Sequence, residues 1–304
     1  MQTIDAIDAA FGANPFSLAD ARAAGITRSA VRNAHAGGRL HRLGHDLYVR
    51  EPEAGYRTQV VVAARTHADA VLILDAAAHL HGFWCPWPSG WRAPTVAVAR
   101  GRRRQYALAR VVQRAYDPED VAQVDGLTVT SPARTALDLA AQLTLPEALV
   151  VVDAYARRGS PARRTAVRPE FRSARRDELL RACVRMTAQR GIDRARQAAA
   201  LADPAAESAP ESYARGLCLV AGHPEPLVQH PVRGADGRTY YADLYWPGCR
   251  LIVEIDGAEK YDERSGIVDE KRREDTLRAA GFRFRRVIAG DLWRTGIEHE
   301  RQAA

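Results

Sequence analysis

Three acidic residues stand apart by type and spacing: Asp243, Glu254 and Asp256. The last two belong to the string LIVEIDG (251–257), an apolar run with acids at alternate positions. Alternate side chains of a strand point to one face, so Glu254 and Asp256 share a side. Asp243 lies in YYADLYW (240–246), and the Pro247-Gly248 pair between the two runs predicts a tight reversal. A hairpin turning there sets Asp243 opposite residue 252 and diagonal to Glu254, on the same face. Two unit charges about 5 Å apart repel by roughly 3 kcal/mol at an effective dielectric of 20, and a bound divalent cation removes that repulsion. Oxygen ligands of this kind suit Mg2+ or Mn2+, and such an ion activates water against a phosphodiester. The alternative is that each acid pairs with an arginine such as Arg250, Arg238 or Arg273.

The rest of the chain must position these acids and bring them a substrate. At 304 residues it is long enough for several compact units, and its 46% apolar content is that of a globular protein. Net charge is +7, carried almost wholly by arginine, since Lys260 and Lys271 are the only lysines. A basic surface attracts phosphate backbones. No window has the roughly 20 apolar residues of a membrane span, and the first residues carry no signal-peptide pattern, so a cytoplasmic protein with no membrane partner is expected. Cys85, Cys183, Cys218 and Cys249 are too scattered for zinc or a disulfide framework and are expected as reduced, mostly buried thiols.

At the N-terminus, residues 4–11 have helical apolar spacing, and Ser17 with Asp20 three residues on caps a second short helix. A three-residue turn, Gly25 to Thr27, leads into a third helix (28–36) capped by Thr27 and stopped at Gly37-Gly38. Two short helices joined by a glycine-containing turn form the helix-turn-helix pattern, and the alternating RLHRLGHDLYVR (39–50) predicts a small hairpin, the wing. In such a module the third helix offers Arg28, Ser29, Arg32 and Asn33 to the major groove of DNA, while Arg39 and Arg42 reach phosphates. GITRSAVRNAHAGGRLHRLGHDLYV (25–49) and VDGLTVTSPARTALDLAA (124–141) resemble AbiEi-type antitoxins of type IV toxin-antitoxin systems. The resemblance covers about residues 1–155 and implies promoter DNA and a toxin as partners.

In the middle of the chain, Ser131-Pro132 opens a helix in which Arg134 and Asp138 are spaced to pair. His79 and His81 lie in an apolar stretch and read as core or boundary residues. Eight arginines between 157 and 176, broken by Pro161 and Pro169, predict a basic linker or loosely structured connector, either solvated or tracking DNA.

The C-terminal third adds a helix opening at Glu211, an amphipathic helix at 267–281 and a strand FRFRRVI (282–288). Glu211, Asp243 before Leu-Tyr-Trp-Pro, VEIDG (253–257) and EKRREDTLRAAGFRFRRV (270–287) resemble the very-short-patch-repair-like branch of PD-(D/E)XK endonucleases over about residues 205–290. The resemblance implies Asp243 and Glu254 as metal ligands, with the Ile255 carbonyl on the same Mg2+ or Mn2+. It implies Asp256 as a third acid orienting water, and Glu211 on a second metal or a water. The family pattern carries lysine at the position of Asp256, and Lys260 is placed to supply that charge.

The expected architecture is a multidomain α+β protein: winged helix-turn-helix (1–52), AbiEi-like α/β middle domain (53–156), basic connector and helices (157–204), and a restriction-endonuclease-like α/β core (205–304). The expected function is DNA binding with Mg2+-dependent phosphodiester hydrolysis, the catalytic set being Asp243, Glu254, Asp256, Lys260 and Glu211. The alternative is an antitoxin or transcriptional regulator that keeps a catalytically inactive nuclease fold.

Overall fold

The computed structural model describes residues 2–43, 46–50, 55–65, 69–100, 104–106, 109–159, 169–186, 189–256 and 264–292. The chain divides into two compact units, Met1–His81 with Trp91–Ser131, and Gly82–Gly90 with Pro132–Ala304. No helix among the described residues is long and apolar enough to cross a membrane.

The first unit begins with α1 (Gln2–Phe11), β1 (Phe16–Ser17), α2 (Leu18–Ala23), α3 (Arg28–Ala36), β2 (His41–Arg42) and β3 (Leu47–Val49). Local chemistry sets the helix starts. Ser17 Oγ accepts from Asp20 N (3.0 Å) while Asp20 Oδ2 accepts from Ser17 N (2.8 Å), a reciprocal capping box. Thr27 Oγ1 accepts from Ala30 N (3.2 Å) and starts α3. Gly25 between the helices has φ +76°, which a side chain would strain. The three strands pair in the order β1-β3-β2, and Ile7, Phe16, Val31, Leu40 and Tyr48 form the core beneath.

The unit continues with α4 (Tyr56–Arg65), β4 (Val71–Ile73), α5 (Leu74–Leu80), β5 (Thr95–Val98), β6 (Arg104–Tyr106), β7 (Ala109–Gln113), β8 (Val121–Val124) and β9 (Leu127–Thr130). These six strands form a mixed sheet ordered β6-β7-β5-β4-β9-β8 over a core that includes Leu72, Val96, Val111 and Val129. Asp125 (φ +50°) and Gly126 (φ +73°) close the β8–β9 hairpin, the dipeptide and dihedrals that a two-residue turn needs. His81 is buried and donates from Nε2 to the Thr130 carbonyl (2.7 Å), and burial lowers the His79 pKa; both act as core or boundary residues.

The second unit comprises α6 (Pro132–Ala140), α7 (Leu145–Arg157), α8 (Pro169–Val184), α9 (Ile192–Leu201), α10 (Ala209–Val220), β10 (Leu227–Arg233), β11 (Thr239–Trp246), β12 (Leu251–Asp256), α11 (Arg264–Ala279) and β13 (Arg283–Ile288). Its four-stranded sheet runs β10-β11-β12-β13, antiparallel except for the last, parallel pair. Helix α10 packs closely on α7: a Cβ on Gly216 would stand 2.4 Å from Pro146 Cα. The pairing expected of Arg134 and Asp138 forms at 3.1 Å, and Gln189 donates to the same carboxylate.

Two expectations are corrected here. The arginine-rich stretch is helical from residue 169, and its described arginines are engaged within the unit. Arg157 donates to the Ala206 carbonyl (2.9 Å), Arg172 pairs with Asp203 (3.2 Å), and Arg176 donates to the Ala202 carbonyl (2.7 Å). Guanidinium groups placed beside helix-end carbonyls satisfy acceptors that the helices leave open, which sequence spacing does not reveal. Residues 160–168, with Pro161, Arg163, Arg164 and Arg168, lie outside the described residues. Of the cysteines, expected mostly buried, only Cys183 is; Cys85 and Cys218 are half-buried and Cys249 is exposed.

Arg215, on α10, is fully buried and makes a two-pronged pair with Asp153 of α7, both bonds 2.9 Å. It also donates to the Leu201 carbonyl (2.9 Å) and to Glu225 (3.2 Å). Removing one partner leaves an uncompensated buried charge, whereas apolar replacement of both is tolerated. Arg215→Met is therefore expected to destabilise this unit by about 3–5 kcal/mol in urea unfolding, with much of the loss restored by adding Asp153→Leu.

Candidate functional site

The acids meet where β11 and β12 part. The two strands pair at Trp246↔Leu251, Tyr245↔Ile252 and Leu244↔Val253. The sequence reading set residue 252 opposite Asp243; the observed partner is Tyr245. The reason is the turn: Pro247–Cys249 form a 3-10 segment and Arg250 takes φ +51°, so the reversal is longer than Pro247-Gly248 alone. The shift is two residues, which preserves the side of the sheet. Beyond Leu244 the Asp243 carboxylate takes over, its Oδ2 accepting from Ile255 N at 2.8 Å.

Glu211 comes from the first turn of α10. Ser208 caps that helix and donates to Glu211 Oε1 (2.7 Å), and Glu207 N donates to Oε2 (2.9 Å). Ser208 Oγ also accepts from Glu211 N (3.4 Å), so the N-cap and the carboxylate hold each other at the helix start. Glu254 accepts from Arg273 Nη2 of α11 (2.9 Å), which also donates to the Tyr241 carbonyl (2.6 Å). The arginine pairing weighed as an alternative is thus formed at Glu254 by Arg273. Arg250 instead donates to the carbonyls of Ala280 (2.8 Å) and Gly281 (3.1 Å), and Arg238 pairs loosely with Asp236 (3.8 Å).

Gln229 is the residue that sequence reasoning missed. Its Nε2 lies 3.0 Å from Glu211 Oε2 and 2.9 Å from Asp243 Oδ1, so one amide joins two carboxylates from different elements. The side chain is buried, and its backbone has φ +49° within β10. That conformation costs a non-glycine residue about 1 kcal/mol or more, and strain of this kind concentrates at functional sites. No spacing signal marks Gln229, because its role depends on a local reversal of φ.

The electrostatics reflect crowding. Burial, then the Asp243 charge, raises the Glu211 pKa to about 7. The same two causes raise Glu254 to about 8, against the opposing charges of Arg273 and Arg286. Asp256 adds to the rise of Glu254 and is itself paired with Arg286 of β13, whose Nε is 3.2 Å from its Oδ2. The charges of Asp243 and Asp256 thus both act on Glu254. Among the described residues no three His, Cys, Asp or Glu side chains come together as a ready-made ion cage. The acids form an all-oxygen donor set, the chemistry a hard cation takes, but with protein donors already on the carboxylates. Lys260 lies outside the described residues.

In the first unit, Arg28, Ser29, Arg32 and Asn33 are all exposed on α3, with Ser29 Oγ 3.0 Å from Thr27 Oγ1. Arg39 and Arg42 are exposed in the segment after it, and Arg50 donates to the Arg39 carbonyl (2.8 Å). The structure thus brings the six polar residues to the surface of one small helical and three-stranded subunit.

Residues 70–197 match the AbiEi antitoxin C-terminal domain. The matched segment takes in the whole six-stranded sheet, α5 to α8 and the first part of α9. It ends before α10, so Glu211, Asp243, Glu254 and Asp256 lie outside it, as do Arg28 to Arg42. The chain is also similar to two uncharacterized proteins of Mycobacterium tuberculosis, MT2308 of strain CDC 1551 / Oshkosh and Rv2248 of strain ATCC 25618 / H37Rv. Each is 33% identical over 172 residues, 57% of this chain. The chain spans 59% of the length of these relatives.

Both raised pKa values have a consequence for stability. Glu211 and Glu254 keep a proton in the folded protein that the unfolded chain has released above its ordinary value of about 4.5. Their contribution is complete below that value and is lost as pH rises through 7 to 8. Asp243→Asn removes the charge both acids feel. Carbon-13 NMR titration is expected to show both midpoints falling, and the loss of stability between pH 5 and 8 to flatten.

Proposed function

We propose that this protein is a DNA-binding regulator of the antitoxin kind. The observation that carries the reading is the match of residues 70–197 to an antitoxin domain, directly after a subunit with a basic exposed helix. The three helices and the β1-β3-β2 sheet support a winged-helix reading of that subunit, with α3 entering the major groove and Arg39 and Arg42 on phosphates. A toxin is the protein partner this class implies.

A second reading concerns the other unit. The buried Glu211 and Glu254 and the half-buried Asp243, with their crowded charge and a strained Gln229, favour a restriction-endonuclease-like site for a hard divalent cation. Asp243, Glu254 and the Ile255 carbonyl would hold Mg2+ or Mn2+, with Glu211 beside them. Bound there, the ion would polarise a phosphodiester and acidify water. The chain's own part is to keep the acids dry and grouped, through Ser208, Gln229 and Arg273, and to set arginine charge beside the phosphate.

Electrophoretic mobility shift with duplex DNA from upstream of the gene tests the first reading. Arg28→Ala with Arg32→Ala is expected to weaken binding at least tenfold, with binding that falls steeply with salt. No shift by the native chain would overturn it. For the second reading, plasmid nicking with Mn2+ is expected from the native chain and is expected to be lost in Asp243→Ala; no metal-dependent cutting of any DNA would overturn it.

A further inference from the structure

The last strand of the four-stranded sheet carries charge that the fold leaves unmet. The stretches 244–253 and 276–288, which meet through β12 and β13, hold five arginines and no acidic residue. Acids from outside these stretches reach two of the five. Glu274 pairs with Arg278 (2.8 Å), and Glu270 (2.7 Å) and Asp256 (3.2 Å) pair with Arg286. Arg250 is spent on the carbonyls of Ala280 and Gly281. Arg283 and Arg285 are exposed and have no carboxylate partner among the described residues.

These two arginines share a direction. Side chains alternate along a strand, and Phe284 is buried with Ile252 and Leu277 on the α11 side. Arg283 and Arg285 therefore project from the opposite face, about 6.7 Å apart along the strand. The register sets them beside Leu251 and Val253, so neither faces an acid on β12. Among the described residues β13 is also the outer strand of the sheet. Arg283 N donates to the Arg250 carbonyl (2.8 Å), so in this parallel ladder the amides of Phe284, Arg286 and Ile288 point away from β12, along the outer edge. Two uncompensated guanidinium groups beside a line of main-chain N–H groups match a nucleic-acid backbone, whose phosphates are taken by arginines and main-chain amides alike. An acidic protein face would need apolar area at the centre of its contact. The exposed large apolar residues among those described are Val184, Val220, Leu227 and Ile288, and none belongs to this face of β12 and β13.

We propose that Arg283 and Arg285 make a sequence-independent contact with the DNA backbone, a second hold on the duplex besides α3. This rests on the first reading above, that the chain binds DNA. It needs no metal and is independent of the acids around Glu254.

Fluorescence anisotropy of the full chain tests it, with two fluorescein-labelled duplexes of about 20 base pairs in EDTA across a salt series. One duplex comes from upstream of the gene and the other is its scrambled sequence. Each phosphate contact contributes about one to the slope of log affinity against log salt. Arg283→Gln with Arg285→Gln is expected to lower the slope by about two and to weaken binding to both duplexes by the same factor. Arg283→Lys with Arg285→Lys is expected to keep the slope, which separates lost charge from lost structure. Arg28→Ala with Arg32→Ala is expected instead to remove the preference for the upstream duplex. A slope unchanged in the glutamine pair overturns the assignment. If that variant also self-associates in sedimentation velocity, the two arginines guard the edge strand against pairing between copies. An equal loss of slope in the lysine pair overturns the assignment as well. A native chain that binds neither duplex overturns the first reading itself, a result distinguishable from failure of Arg283 and Arg285 alone.

Discussion

The second unit is organised around buried negative charge that must be held in place. Glu211 and Glu254 are nearly inaccessible to water and both feel Asp243, so the fold has to surround them with donors or lose them to protons. It does both in part. Ser208, the Glu207 and Ile255 amides, Gln229 and Arg273 each donate to a carboxylate, and burial still raises two of the acids toward neutral pH. The position of α10 follows from the same need. The helix start is capped by Ser208 and Glu211, and one turn later Arg215 ties it to α7 through Asp153.

The first unit solves an unrelated problem with shorter-range chemistry. Its helix starts are set by Ser17 with Asp20 and by Thr27, its turn by Gly25, and the polar residues left over on α3 face water. Exposed arginines of this sort attract phosphate at long range, while a dry acidic pocket acts only on what is brought into contact. The segment similar to the AbiEi antitoxin C-terminal domain runs from the sheet of the first unit into the helices of the second.

Much of this was readable from residue order, and the exceptions have definite causes. The caps at Ser17 and Thr27, the helix at Pro132 and the strands bearing Asp243 and Glu254 follow from local rules that tertiary packing left alone. The hairpin register moved by two because Arg250 adopts a left-handed conformation, which Pro247-Gly248 does not announce. Gln229 was invisible because a polar residue in a strand looks ordinary until its backbone reverses. Strand parity puts Asp256 beside Glu254 but does not reveal its ion-pair partner, Arg286, which comes from a strand 30 residues later. The arginine stretch after residue 157 looked like a linker because nothing in its spacing reveals that Asp203 and the carbonyls of Ala202 and Ala206 lie against it.

If the carboxylates take the cation proposed above, Gln229 and Arg273 occupy the oxygens that would hold it. Anomalous diffraction from crystals soaked in Mn2+ tests it most directly. The account predicts one strong peak with Asp243 and Glu254 oxygens at about 2.0–2.4 Å and the Gln229 amide displaced from its bridge. A pocket without a peak, with Gln229 still joining Glu211 to Asp243 and Arg273 still on Glu254, would contradict it.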